Sequence, residues 1–223
     1  MLESDRAVRA RILVVSGLYF ASGVTGLVYE VVFSKYLSYV FGVSAYASSA
    51  VLVAFMGGLA AGGWLVARWD ARLPKRLIAY GIAEIAVGAC ACLTPWLLAA
   101  ISGLYLWLAR SVPASLPALI GLRWLLATAV VFLPAVAMGA TFPLLAPWLG
   151  AGAPPGWLSR LYGLNVMGGA LGALGAAYLV VPALGLGGTL RASVLTNVAI
   201  GAIAIALDGG PRRAAVTSSM VGS

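Results

Sequence analysis

Two acidic side chains stand inside apolar runs. Glu30 lies in the second half of the run from Ile12 to Phe33, and Glu84 lies about two turns into the run from Leu77 to Ile101. A charge at such a depth is costly in a bilayer, so it is paired, turned towards a cavity or held for a task. For Glu30 the options are an interfacial or Lys35-paired acid, or a site for a cation or proton. For Glu84 they are an ion pair with the basic residues at positions 68–76, or a cation site shared with Glu30 between helices. Two asparagines, Asn165 and Asn197, are polar guests in later apolar runs. Each is expected to make an interhelical hydrogen bond, and each joins the two glutamates as a candidate ligand or proton site.

The remaining chemistry is sparse. The chain has no histidine, which removes the commonest metal ligand and general base. Cys90 and Cys92 lie two apart on one helix, point to different sides and read as small apolar residues. No catalytic residue, metal ligand set or cofactor site is expected.

The elements that position these residues follow from composition. Of 223 residues, 62% are hydrophobic and only 9% charged, against about 25% charged in a soluble domain. The lipid bilayer is therefore the first partner. The net charge of +8 sits in short flanks between apolar runs, where it reports topology and not nucleic-acid binding.

The chain divides into a polar N-terminal segment (1–11), a transmembrane domain (12–207) and a short polar tail (208–223) expected to be disordered. Six spans are expected: 12–33, 45–67, 77–101, 119–145, 161–182 and 189–207. A seventh arises if the aromatic segment Gly103–Leu119, read as an interfacial helix and loop, crosses fully. Tyr36–Tyr46 also reads as interfacial, and Pro182 as the end of the fifth span. With the N-terminus inside, ten lysines and arginines fall on the cytoplasmic side and four on the other. The positive-inside rule then places both termini in the cytoplasm, with the chain in the cell's inner membrane.

Glycines mark where these helices should touch. Gly57, Gly58 and Gly62 form a small-residue face in the second span, and Gly168, Gly172 and Gly175 another in the fifth. Gly168 and Gly172 make a G-x-x-x-G pair, which lets two membrane helices approach closely.

The stretch from Gly62 through Asp70, Arg72, Lys75 and Arg76 resembles the cytoplasmic loop of major facilitator transporters, in which a glycine and an aspartate precede clustered basic residues. Four further stretches extend the likeness: Ser16-Gly17 with Leu27-Val28-Tyr29-Glu30-Val31; Phe55-Met56-Gly57-Gly58-Leu59; Met138-Gly139-Ala140-Thr141-Phe142-Pro143; and Leu161-Tyr162 through Asn165 to Gly168, followed by Leu171-Gly172-Ala173 and Pro182-Ala183-Leu184-Gly185-Leu186. In order and spacing they resemble the N-terminal membrane domain of membrane-bound spermidine synthase-like proteins, over about residues 12–207. That resemblance implies an all-α fold like half of a major facilitator.

In that family an aminopropyltransferase domain with a glycine-rich cofactor loop follows the membrane part. Here no strand, glycine loop and helix unit lies outside the spans, and Gly172-Ala173-Leu174-Gly175 lacks the spacing and the strand for one. The expectation is a membrane module without the transferase. Three functions fit it: a non-catalytic subunit or anchor packing against other membrane subunits, a small carrier for a cationic solute such as a polyamine or proton (alone or as a homo-oligomer), or the membrane component of a split synthase.

Overall fold

A computed structural model of the chain describes residues 2–41, 45–69, 75–111, 116–149 and 156–208. Every described element is helical. They are α1 (Leu2–Phe41), α2 (Ala45–Trp69), α3 (Arg76–Ser111), α4 (Leu116–Leu145) with a 3-10 turn at Ala146–Leu149, α5 (Trp157–Gly175), a π turn at Ala176–Val180, and α6 (Val181–Asp208). Within hydrocarbon a helix satisfies all its backbone hydrogen bonds internally, which is why runs so rich in glycine and β-branched residues still adopt it.

Five helical stretches are long and apolar enough to cross a membrane: Ala10–Tyr39, Ser49–Arg68, Arg76–Leu108, Pro117–Trp148 and Trp157–Asp208. Large apolar side chains such as Trp96, Tyr178 and Leu195 lie on the outside. This is a membrane-embedded helical protein.

Several helix ends differ from those expected. Helix α1 begins at Leu2, so the polar N-terminal segment extends the helix outward. Both segments read as interfacial are largely absorbed: α1 continues to Phe41 and α3 to Ser111. Nothing in 103–111 excludes a helix, and the first proline after it, Pro113, comes later. Pro117 falls in the first turn of α4, where its missing N–H has no partner to lose. Pro182 does not end its helix: helical backbone continues from α5 into α6, and the turn before the proline, Ala176–Val180, is widened to π form. The break comes at Gly185, with φ 69° and ψ 173°, a conformation that side chains bearing Cβ rarely adopt.

The last apolar stretch is 52 residues long. As one straight helix it would measure about 78 Å, far beyond a hydrocarbon core of about 30 Å. It does not run straight. Along α5, Gly168 faces Phe20 and Gly172 faces Val24, so α5 runs in the same direction as α1. Along α6, Leu190 belongs to the apolar cluster of Phe33 and Leu37, and Ile200 to that of Val15 and Tyr19, so α6 runs against α1. The chain doubles back around Gly185.

Three helix pairs dominate the packing: α2 with α4, α1 with α5, and α3 with α6. Between them lie two apolar clusters at different levels. One is built on Tyr29, Phe33, Leu37, Val87 and Val131, the other on Tyr19, Leu77, Tyr80, Leu145 and Leu161. Glu84 is buried between these levels.

Candidate functional site

The closest seam in α3–α6 is made by two glycines. A Cβ on Gly201 would stand 2.5 Å from the Gly81 carbonyl oxygen, and one on Gly81 would stand 2.6 Å from the Gly201 oxygen. The helices run antiparallel, so the residue one turn along α3 from Gly81 meets the residue one turn back along α6 from Gly201. These are Glu84 and Asn197. The Asn197 amide nitrogen donates to Glu84 Oε2 at 2.6 Å, and the Tyr29 hydroxyl of α1 donates to Asn197 Oδ1 at 3.1 Å. Three helices are tied by one buried chain of side-chain hydrogen bonds.

Glu84 is 0% exposed. Its second oxygen, Oε1, is buried and has no hydrogen-bond partner among the described residues. The Ser22 and Tyr80 hydroxyls face the same carboxyl, but neither meets Oε1 in hydrogen-bond geometry. A carboxylate taken out of water needs donors or a counter-charge on both oxygens. One oxygen of Glu84 has its donor; the other has none among the described residues.

Glu84 lines a cavity of about 550 Å³ to which all six helices contribute. Tyr19, Ser22 and Glu30 come from α1, Phe55 and Met56 from α2, Met138 and Phe142 from α4, Tyr162 and Asn165 from α5, and Asn197 from α6. Three of its lining residues, Tyr19, Phe142 and Tyr162, belong to a series of touching rings that continues to Tyr80. Tyr80 and Tyr19 meet edge-on with centroids 6.3 Å apart, Tyr19 stacks on Phe142 at 6.0 Å, and Phe142 meets Tyr162 edge-on at 5.5 Å. A volume of this size holds a small organic molecule.

Of the four candidate polar residues, the structure brings all four to this cavity, in unequal roles. Glu84 and Asn197 form its polar floor. Glu30 is half-buried and lines both this cavity and a shallower groove with Ser34 and Lys35. Asn165 donates its amide to the Tyr19 carbonyl oxygen at 2.9 Å, in the α1–α5 seam that Gly23 opens for it. Glu84 therefore has its described partner on α6 and not on the basic loop.

The glycine expectations divide likewise. Gly58 and Gly62 meet α4 at Ala135 and Val136, and Gly168 and Gly172 meet α1, in each case too closely to admit a Cβ. Gly57 makes only an ordinary contact with the Phe132 ring, 3.6 Å from where its Cβ would be. Gly175 differs: among the described residues a Cβ there would meet nothing within 4 Å. Three residues beyond Gly172 is short of a full turn, which rotates Gly175 off the contact line. Sequence reading missed Gly23, Gly81, Gly139 and Gly201, which are as closely packed, and the role of Tyr29. The signal for two of them was present in Gly81-x-x-Glu84 and Asn197-x-x-x-Gly201, where a glycine stands one turn from a polar guest.

Of the loop motif, Asp70 and Arg72 lie outside the described residues. Lys75 is exposed and precedes α3, and Arg76 opens that helix. Arg68 stacks over the Trp64 ring at 4.4 Å from its centroid. Cys90 and Cys92 carry free thiols, the first half-buried and the second exposed. Among the described residues no three His, Cys, Asp or Glu side chains gather as a metal ligand set. Compared with protein-family models, with curated proteins and with solved structures, the chain matches none.

Proposed function

We propose that this protein is a small integral-membrane carrier that binds a cationic solute in the cavity around Glu84. One observation carries the reading: a fully buried carboxylate whose Oε1 has no donor among the described residues, on the wall of a cavity large enough for a solute. In hydrocarbon such an oxygen is stabilised by a proton or a cation, and intramembrane acids of this kind mark solute and proton pathways. Glu30, nearer the rim of the same cavity, supplies a second negative charge on the way in.

Six crossings complete this reading, with α5 and α6 as separate spans joined at Gly185 and both termini in the cytoplasm of a bacterial-type inner membrane. The arrangement is then that of half a major facilitator, in line with the sequence resemblance to the membrane domain of spermidine synthase-like proteins. Uptake into proteoliposomes tests the function. Glu84→Gln is expected to abolish cation uptake and Glu30→Gln to reduce it; undiminished uptake by Glu84→Gln would reject the carrier.

A second reading, a non-catalytic subunit that packs against other membrane proteins or a separately encoded synthase, is favoured by a different observation. Among the described residues, Gly17, Gly26, Gly163 and Gly175 have open space where a Cβ would stand, leaving these small-residue positions without a close neighbour there. Purification in mild detergent separates the two readings: unrelated partners in fixed ratio support the subunit, and a clean monomer or homodimer excludes it.

A further inference from the structure

Glu84 and Glu30 line one cavity on unequal terms. Glu30 is half-buried and also lines the outer groove with Ser34 and the exposed Lys35, so cavity and groove meet at its side chain. Glu84 is 0% exposed. It offers no surface on which a solute could rest, and a metal ion would need room for several oxygens around it. A proton needs no room, because it rides on the oxygen itself.

The surroundings of Oε1 fit a proton. Two buried oxygens there have no hydrogen-bond partner among the described residues, Glu84 Oε1 and the Tyr80 hydroxyl. Tyr80 stands one turn before Glu84 on α3 and faces the same carboxyl, as does the Ser22 hydroxyl of α1. On the other side, Oε2 accepts from the Asn197 amide. This is the division of labour of a carboxylic acid. Oε2 serves as its carbonyl, and Oε1 carries the hydrogen beside hydroxyl oxygens able to accept it.

No positive group competes for the site. The titratable groups facing Glu84 are tyrosines, Tyr80 from its own helix and Tyr19 and Tyr29 from α1. From α5, Tyr162 lines the same cavity. Among the described residues α2, α4 and α6 bring no acid, base or tyrosine to it, and no lysine or arginine lines it. A carboxylate buried in such a setting carries a solvation penalty that a proton removes.

We propose that Glu84 is a proton-exchange site, with Oε1 the atom that takes and releases the proton. Loading forms the Oε1–H bond and neutralises the carboxyl; unloading breaks that bond and returns the proton through the cavity towards Glu30 and the groove. Oε2 keeps its bond from Asn197 in both states, so α3 and α6 stay tied while the charge changes. Intramembrane acids placed in series form proton relays. Contact with the solute then falls to Glu30. This inference rests on the carrier reading and assigns it a proton beside the solute.

Infrared difference spectroscopy on the full chain in lipid nanodiscs reads the proton directly and needs no solute. Of the carboxylic-acid carbonyl bands that appear on acidification, one is expected to be missing in Glu84→Gln and present in Glu30→Gln. It should shift in D2O and disappear again when the pH is restored. Glu84→Asp, which keeps an acid on α3, should retain a band, and Tyr80→Phe, which removes a facing hydroxyl, should move its frequency. Identical bands in the wild type and Glu84→Gln would overturn the proposal. So would a Glu84 acid band that stays constant at every pH, since the proton would then be fixed and not exchanged. The carrier reading fails separately, on undiminished cation uptake by Glu84→Gln in proteoliposomes.

Discussion

Asn165 and Asn197 share a residue type and a setting, each a single amide in an apolar helix against a glycine-lined seam. Their neighbours make them different. In the α1–α5 seam, Gly23, Gly168 and Gly172 bring two backbones so close that the Asn165 amide meets a main-chain carbonyl, that of Tyr19. In the α3–α6 seam, Gly81 and Gly201 bring the backbones equally close, but the residues a turn away are an acid and an amide, with a tyrosine reaching in from α1. The first seam uses its asparagine as a strut. The second uses its asparagine to hold a carboxylate with one oxygen turned free. Glycine sets the approach of two membrane helices; the residue one turn away decides whether the seam also carries a site.

The comparison can be broken at its strongest point first. Gly172→Leu would place a side chain against the Val24 backbone, and Gly201→Leu one against Gly81. Both variants are expected to lose the folded protein, read as loss of the monodisperse peak on size exclusion. A normal peak with wild-type melting would show that the seam tolerates separation.

Asn197→Leu comes next. It leaves Glu84 Oε2 buried without its donor, and a loss of about 2–4 kcal/mol is expected in thermal or denaturant unfolding in detergent. Removing both partners, in Asn197→Leu with Glu84→Leu, should recover most of that loss, because the penalty belongs to the orphaned charge and not to the missing bond. A double variant no more stable than the single one would mean that the pair itself holds α3 to α6.

Asn165→Ala removes an ordinary interhelical hydrogen bond, and the expected loss is about 1 kcal/mol. If it matches Asn197→Leu, the distinction between strut and site fails. The smallest effect separates two neighbouring glycines. Gly175→Ala should stabilise the helix slightly, by about 0.5–1 kcal/mol, since its Cβ enters open space. Gly172→Ala, three residues earlier, should destabilise. Melting temperatures of the two variants, measured side by side, decide it.

Much of this was legible along the chain. The apolar runs mark where the helices lie, because in hydrocarbon helicity needs only length and hydrophobicity. Gly58, Gly62, Gly168 and Gly172 stand out by their spacing of four. Glu84 and Asn197 stand out as polar residues in apolar company. Helix ends were less legible: α3 passes through Gly103 to Ser111, and the turn after α5 falls at Gly185 and not at Pro182. A π turn that accommodates a proline and a glycine with positive φ are backbone features, which hydropathy does not record.

What the sequence determined by itself is the solvent this protein folds in, the segments that cross that solvent, and the few residues that pay a penalty for being there. Those follow from transfer energetics, which act residue by residue. Only the tertiary structure decided which of these residues meet. Glu84 and Asn197 are 113 positions apart, and Tyr29 and Asn197 are 168 apart. No local periodicity encodes such partners. They depend on which glycine faces which backbone, and on the reversal at Gly185 that sends α6 back along α1 and against α3. That pairing turned two isolated polar residues and an adjacent tyrosine into one buried network beside an aromatic cavity.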